Sequence, residues 1–449
     1  MSMSATPTTA DERGVLGSGA SLRILLTLLV AATLLRVVWA LLIPVMPVSD
    51  SHAYDTFART LMSSGVFGWN PNEPFSFWPP GTSLIYAALF RIFGADYNAI
   101  VWLNLLLSAG LIVLTMRLAT RFYGARCALY SGWVLALWPT LVMFTTVLAS
   151  ELPFLVFVTA ALDVWTLPNR AALLRGVAAG ALLGCAALVR PVAMALPVII
   201  GVAVLLDRGL SKSAVIEQLR LVVPALIAMA CVIAPWTLRN YALYHEVVLI
   251  STNGGVTLWM GNAPGTTGEH MNVPAWAEKL RDDKQDKALG ELAKSYIVKD
   301  PAGFAWRSLR KFIWLYNHES IGVAWNEAGL TARFGESALR PLKLFTHATW
   351  ALILLTSVVG LWVLIKTRGF WRAVCGPVVV TIAFYSVIHS AVVSQDRYHL
   401  EFAVQLALLA GGALTALFAR WRIGDANRPP QPATNREASL ELGGAKRLT

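Results

Sequence analysis

The sequence predicts an all-α polytopic membrane protein of about ten transmembrane helices, with an amphipathic first external loop and a helical external segment. Three observations predict it. Hydrophobic residues make up 56% of the chain and charged residues only 14%, against roughly a quarter in soluble globular domains. Apolar runs recur at the length of about 20 residues that crosses a bilayer. Basic residues gather in alternate connections between those runs, as they do when orientation is encoded by charge.

Continuous apolar runs cover 22–43, 100–118, 221–238, 344–365, 374–394 and 400–417. Two longer tracts, 128–167 and 171–206, each have a polar break near the middle, at Thr145 to Glu151 and at Arg190-Pro191. Read as hairpins, they bring the total to ten spans. Charge supports the hairpins. With ten spans one side holds Arg117, Arg121, Arg126, Arg170, Arg175, Arg208, Lys212, Arg220, Lys366, Arg368 and Arg372, and the short loops opposite hold only Arg59, Arg91, Arg190 and Arg397. This asymmetry puts both termini in the cytoplasm. Residues 1–21 are then a cytoplasmic tail, 22–420 the membrane domain, 44–99 and 239–341 external, and 421–449 a disordered cytoplasmic tail rich in Pro, Asn and Arg. The first span has no small-x-small cleavage site and reads as an uncleaved anchor.

The net charge of +11 belongs to this orientation signal and does not point to nucleic acid. Seventeen tryptophans and eleven tyrosines suit the aromatic belts of a bilayer. Cys127, Cys185, Cys231 and Cys375 lie in or beside apolar runs and form no CxxC pair, so each reads as a small hydrophobe.

The polar clusters that remain all fall on the outer face. Asp50 follows the first span and opens an amphipathic stretch in which Tyr54, Phe57, Ala58 and Leu61 recur at helical spacing. Either Ser49 or Asp50 is also an ordinary N-cap. Trp78-Pro79-Pro80-Gly81 reads first as a helix start, because proline is preorganised for the first turn. Glu151 sits at a hairpin tip, where an acid also complements a helix dipole. Arg190-Pro191 and Arg397-Tyr398-His399 each bring a guanidinium to the surface, for phosphate or for lipid headgroups. Pro235 to Tyr241, with Arg239, leads into glycine–asparagine turns at 253–255 and 261–262 that lack the Lys-Ser/Thr of a nucleotide loop. Asp282, Asp283 and Asp286 alternate with lysines and read as a solvated helix face. The spans carry few ionisable groups, chiefly Arg36 and Asp163, whereas a transporter would place polar groups and broken helices at the midplane. The acids and bases left at the outer face are Asp50, His52, Asp55, Glu151, His399 and Glu401.

In this order and on one face, Ser49-Asp50 through Leu61, Pro79-Pro80-Gly81 through Gly94, Ser150-Glu151, Leu188 to Pro191, Pro235-Trp236 through Asn262 and Arg397-Tyr398 resemble the GT-C glycosyltransferases. The likeness is to bacterial family 39, which is related to protein mannosyltransferases and lipid A aminoarabinose transferases. It covers about 22–422. The resemblance implies a GT-C-like fold in a bacterial inner membrane and a polyprenyl-phosphate-linked sugar as donor. The acceptor is a lipid, a glycan or a protein.

The resemblance makes Asp50 the base. Arg397, Arg239 and Arg190 are the candidates for the departing phosphate, and His52, Tyr54, Trp78, Pro80, Glu151 and Tyr398 are expected to bound the pocket. The family often has two adjacent acids in the first loop. Here Ser51 follows Asp50, so no cofactor is assigned; a divalent metal would have Asp50 and Glu151 as its ligands. The rival readings are a flippase of lipid-linked glycans and an O-antigen ligase or polymerase acting through Arg397 and His399.

Overall fold

The computed structural model describes residues 19–168 and 170–426. The expected tail over 1–21 therefore lies almost wholly outside the described residues. So does the expected tail over 421–449 beyond Ala426, up to which the last helix continues.

Almost every described element is a helix, because backbone in lipid has to satisfy its own amides. The first span α1 (Gly19–Leu42) leads into α2 (Asp50–Ser64), a small ribbon β1 (Gly68–Asn70) and β2 (Glu73–Pro74), and α3 (Gly81–Phe93). The spanning α4 (Tyr97–Tyr123) turns back into α5 (Ala125–Leu137) and α6 (Pro139–Met143). A bend of 58° separates α5 from the α6 segment, where Pro139 lacks the amide that would continue the ladder. Arg36 serves this break by donating to Leu135 O at 3.1 Å and Ala136 O at 3.0 Å, carbonyls that the interrupted helix leaves open.

The chain continues through α7 (Glu151–Trp165), α8 (Ala172–Val189), α9 (Leu196–Arg208) and α10 (Lys212–Tyr244). Next come α11 (Gly254–Asn262), α12 (Ala275–Glu278), α13 (Asp282–Lys299), α14 (Pro301–Asn317), α15 (Ile321–Trp325) and α16 (Glu327–Phe334). The membrane is re-entered by α17 (Leu339–Arg368), and α18 (Phe370–Val374), α19 (Pro377–Ala391) and α20 (Ala403–Ala426) complete the fold.

This is a multi-pass membrane protein. Among the described residues seven helices are long and apolar enough to cross a bilayer, with the turn at 191–195 counted into α9, and eight with the bent α5–α6 segment counted as one span. The other two expected spans are α7 and α19, each of 15 residues and short of the ~17 a full crossing needs. Both stop short where irregular backbone takes over, at 144–150 before α7 and 392–397 after α19. Such backbone is tolerated inside a membrane domain when protein encloses it, and most of these residues are buried.

The most extensive helix pairing is α8 on α10. Gly176, Gly180 and Gly184 lie four apart on α8, and a side chain at any of them would strike α10 at Leu221, Ala225 or Val232. Small residues at this spacing let backbones approach, the usual solution where lipid supplies no hydrophobic drive for helix association. Gly81 does the same for α3: a Cβ there would lie 2.7 Å from Leu188 C and Val189 N, so the start of α3 sits on the end of α8.

The helical segment after α10 departs from one expectation. Asp282 and Asp283 are buried, not solvated. Asp282 accepts from Ser76 N at 2.8 Å, Tyr244 Oη at 2.6 Å and Thr252 Oγ1 at 3.0 Å, which ties the first loop to this segment. Asp286 accepts from Gly255 N at 2.5 Å and Val256 N at 3.1 Å and so serves the open start of α11. These acids hold the fold together. Asp163, an ionisable residue inside an apolar run, pairs with Arg117 and Arg121 at 2.9 Å each.

Candidate active site

Asp50 is the first residue of α2, and the chain reaches it by a sharp turn. Ser51 N donates to Val48 O at 3.0 Å, and Ser49 holds φ at 52°. Such a dihedral costs a non-glycine residue about 1–3 kcal/mol, so the surrounding structure has to enforce it. Ser49 makes no side-chain cap. The Asp50 carboxylate is not a cap either, and it turns away from its own helix. Its Oδ2 pairs with Arg397 Nη2 at 2.7 Å, and its Oδ1 accepts from Trp78 Nε1 at 3.3 Å.

Trp78 owes its position to the Pro79-Pro80-Gly81 turn. Pro80 is the residue before α3, and Gly81 seats that turn on the end of α8. The next residue after α8 is Arg190, held extended ahead of Pro191, as a residue preceding proline prefers. Two motifs separated by about 110 positions are thereby fastened together.

Arg190 is the hub of the cluster. Its Nη2 pairs with Glu151 Oε1 at 2.5 Å, its Nε donates to Ser150 Oγ at 2.9 Å, and its Nη1 pairs with Glu401 Oε1. Glu151, the first residue of α7, also lies 3.9 Å from Arg397 Nη1. Arg397 is fixed further by Gln395 Oε1 at 2.8 Å and by the Trp325 ring, whose centroid is 4.7 Å from the guanidinium carbon. Tyr398 lies 5.4 Å from Arg397 and 5.8 Å from Arg190 by the same measure, and it stacks on His389 at 4.3 Å. His389 Nε2 is 3.1 Å from Glu401 Oε2. Asp50, Glu151, Arg190, Arg397, Glu401 and His389 thus form one connected network drawn from five parts of the chain.

Burial opposes the charge on Asp50. The Arg397 guanidinium, helped by the Trp78 indole and by Arg190, overcomes that penalty and holds the carboxyl below its usual range. Burial also disfavours charge on Arg190, but Glu151 and Glu401 outweigh it, so Arg190 stays charged. Tyr54, one turn on from Asp50, is buried, and burial with the Asp50 charge raises its phenol above the ordinary value.

Three expected residues lie apart from the network. His52 is exposed, its ring 6.1 Å from Trp69. Arg239 donates to Ser76 Oγ at 2.5 Å and Phe67 O at 3.2 Å and lies over Trp236, so it fastens the first loop. His399 is fully buried on Trp350, with Glu319 Oε1 at 3.1 Å. Conversely, Glu401 stood in the sequence only as one of six outer-face acids and bases, and His389 had no role there. A histidine inside the 374–394 run was the available signal, since an ionisable residue in an apolar span is a functional pointer by default.

A divalent metal finds little here. Among the described residues no group of three or more His, Cys, Asp or Glu side chains converges as a ligand set. Asp50 and Glu151 are both engaged by guanidiniums.

No family model and no curated protein matches the sequence. Solved structures do. The archaeal oligosaccharyltransferase AglB from Archaeoglobus fulgidus, solved with an inhibitory peptide and a dolichol-phosphate, superposes with a TM-score of 0.55 at 12% identity over 95% of this chain and 54% of its own. A structure of the oligosaccharyltransferase from the same organism with Zn and sulfate gives 0.54 at 14% identity, over 88% of this chain and 50% of its own. ArnT from Cupriavidus metallidurans bound to undecaprenyl phosphate is 18% identical over 90% of this chain, with a TM-score of 0.39. The chain spans about half the length of the oligosaccharyltransferase structures it matches. Its helices are arranged in the fold of these membrane oligosaccharyltransferases.

Proposed function

We propose that this protein is a membrane glycosyltransferase that moves a sugar from a polyprenyl-phosphate carrier to an acceptor hydroxyl or amine at the outer face of a bacterial inner membrane. The observation that carries the reading is the convergence of Asp50, Glu151, Arg190 and Arg397 in one buried network. A fold shared with a protein solved with dolichol-phosphate and a peptide supports it.

In this reading the acceptor attacks the anomeric carbon as Asp50 takes its proton. The bond from that carbon to the phosphate oxygen breaks, and its electron pair leaves with the lipid phosphate. Direct displacement inverts the anomeric centre. Arg397 and Arg190 stabilise the charge that builds on the leaving group, each with a planar fork suited to phosphate oxygens. The empty network holds three carboxylates, Asp50, Glu151 and Glu401, against two guanidiniums. Trp78 and Tyr398 border the cluster with ring surfaces that suit a sugar. No step runs through a metal. The rival ligase reading needs an available His399, and that ring is enclosed with Glu319.

The test is sugar transfer from labelled polyprenyl-phosphate sugars by purified protein. Asp50→Asn is expected to lose about 10²–10⁴ in turnover while still retaining the carrier, the usual loss for a missing general base. Wild-type turnover in that variant would remove Asp50 from the mechanism.

A further inference from the structure

The opposite end of the helix bundle holds a second polar constellation that the transfer chemistry leaves unused. A cavity of about 220 Å³ lies between α17 and the ends of α4, α7, α8, α9, α10 and α19 that point away from the acid–arginine network, and it reaches the start of α20, where Gln405 stands one turn on from Glu401. Its wall is largely apolar, with Leu118, Ile200, Val204 and Val404 among its residues. Gln218, Gln405, Trp165 and Arg175 also line it, and each has a buried polar atom without a partner. The unpaired atoms are the acceptors Gln218 Oε1 and Gln405 Oε1 and the donors Trp165 Nε1 and Arg175 Nε. Gln218 and Gln405 are each only 4% exposed and Trp165 2%. Buried polar atoms in folded proteins are nearly always paired, so a cluster of orphans around one cavity needs an explanation.

Charge narrows the ligand. Arg175 and Arg368 lie at the cavity, and Arg208 there is paired with Glu217 at 3.0 Å. That leaves Asp207, also lining the cavity, as a carboxylate with no ionic partner among the described residues. A purely anionic headgroup would leave Asp207 without a cation. A neutral apolar chain would leave all four orphans unpaired. A headgroup carrying both signs meets both demands: phosphate and ester oxygens accept from the arginines and the indole, and an ammonium donates to Asp207 and a glutamine oxygen.

We propose that this cavity is a binding site for a zwitterionic aminophospholipid of the phosphatidylethanolamine class. Its acyl chains enter between the helices and its headgroup sits between Arg175, Arg368 and Asp207. The site shares no residue with the acid–arginine network, and binding there does not depend on the transferase reading.

The test reads bound lipid, not turnover. Purified protein in detergent is mixed with equal amounts of phosphatidylethanolamine and phosphatidylglycerol, and retained lipid is counted by native mass spectrometry. Wild type is expected to favour phosphatidylethanolamine by about tenfold, the effect of one charge-assisted contact. Asp207→Asn should bring the ratio near one, and Val204→Trp, which fills the crevice without changing charge, should remove both lipids. Equal retention by wild type would overturn the proposal, as would an unchanged preference in Asp207→Asn. Displacement of the bound lipid by undecaprenyl phosphate would make the crevice a carrier channel and overturn it too.

Discussion

Arg397 and Arg239 look alike in the sequence: each follows an apolar span and each is flanked by aromatic residues. The structure gives them different work. Arg397 meets Asp50, Glu151 and Gln395 and lies over Trp325, whereas Arg239 meets Ser76, Phe67 and Trp236 in the first loop. Arg397→Lys is expected to lower kcat/KM for the donor by roughly 10- to 100-fold, because an ammonium offers one point of charge where the guanidinium serves two carboxylates and a ring. Arg239→Lys should leave kcat within about twofold and act mainly on thermal stability, since its partners are neutral oxygens. Steady-state kinetics beside melting curves separates the two; equal losses of kcat/KM would place Arg239 in the site. Asp50, Glu151, Arg190 and Arg397 were legible because a charge at the edge of an apolar run stands out. The pairing of His389 with Glu401 was not, because it is a contact between two segments that one-dimensional spacing does not show.

Elements were more legible than their lengths. All ten apolar segments are helices, yet α7 and α19 stop early because the chain between 144 and 150, and between 392 and 397, leaves the helix to present buried backbone near Glu151 and Arg397. Hydropathy averages over such breaks. The Gly176, Gly180 and Gly184 series was present in the sequence as a small-residue repeat, but only the partner helix gives it meaning. A methyl group at Gly180 would collide with the Ala225 backbone, whereas one at Gly110 in α4 meets nothing within 4 Å. Gly180→Ala should therefore cost about 1–3 kcal/mol by forcing α8 from α10. Gly110→Ala should be neutral or stabilise by up to about 1 kcal/mol through helix propensity. Unfolding in mild detergent reads both. Since Arg190 follows α8 directly, Gly180→Ala should also lower turnover, and a variant as stable and active as wild type would refute the packing argument.

At the scale of the whole molecule, alternation of basic loops placed all the polar motifs on one face, and the structure gathers four of them at one end of the bundle. Charge patterning carries that information because orientation acts on every loop at once. Packing between distant segments leaves no comparable trace, so the fastening of the first loop to the later segment by Asp282 was hidden under an apparently solvated, lysine-rich helix.

The Asp50–Arg397 pair has a consequence for the timing of the reaction. While that pair is intact the carboxylate holds its charge against burial, so in the proposed reaction it is a weaker base than it would be alone. A phosphate that draws Arg397 away restores its basicity, so the donor arms the site against itself only after it has arrived. The proposed cycle then has a compulsory order, donor before acceptor. Initial rates at varied donor and acceptor should intersect, with acceptor unable to bind measurably until donor, or free polyprenyl phosphate, is present. Acceptor binding of equal strength with and without the carrier would show that the pair imposes no such sequence.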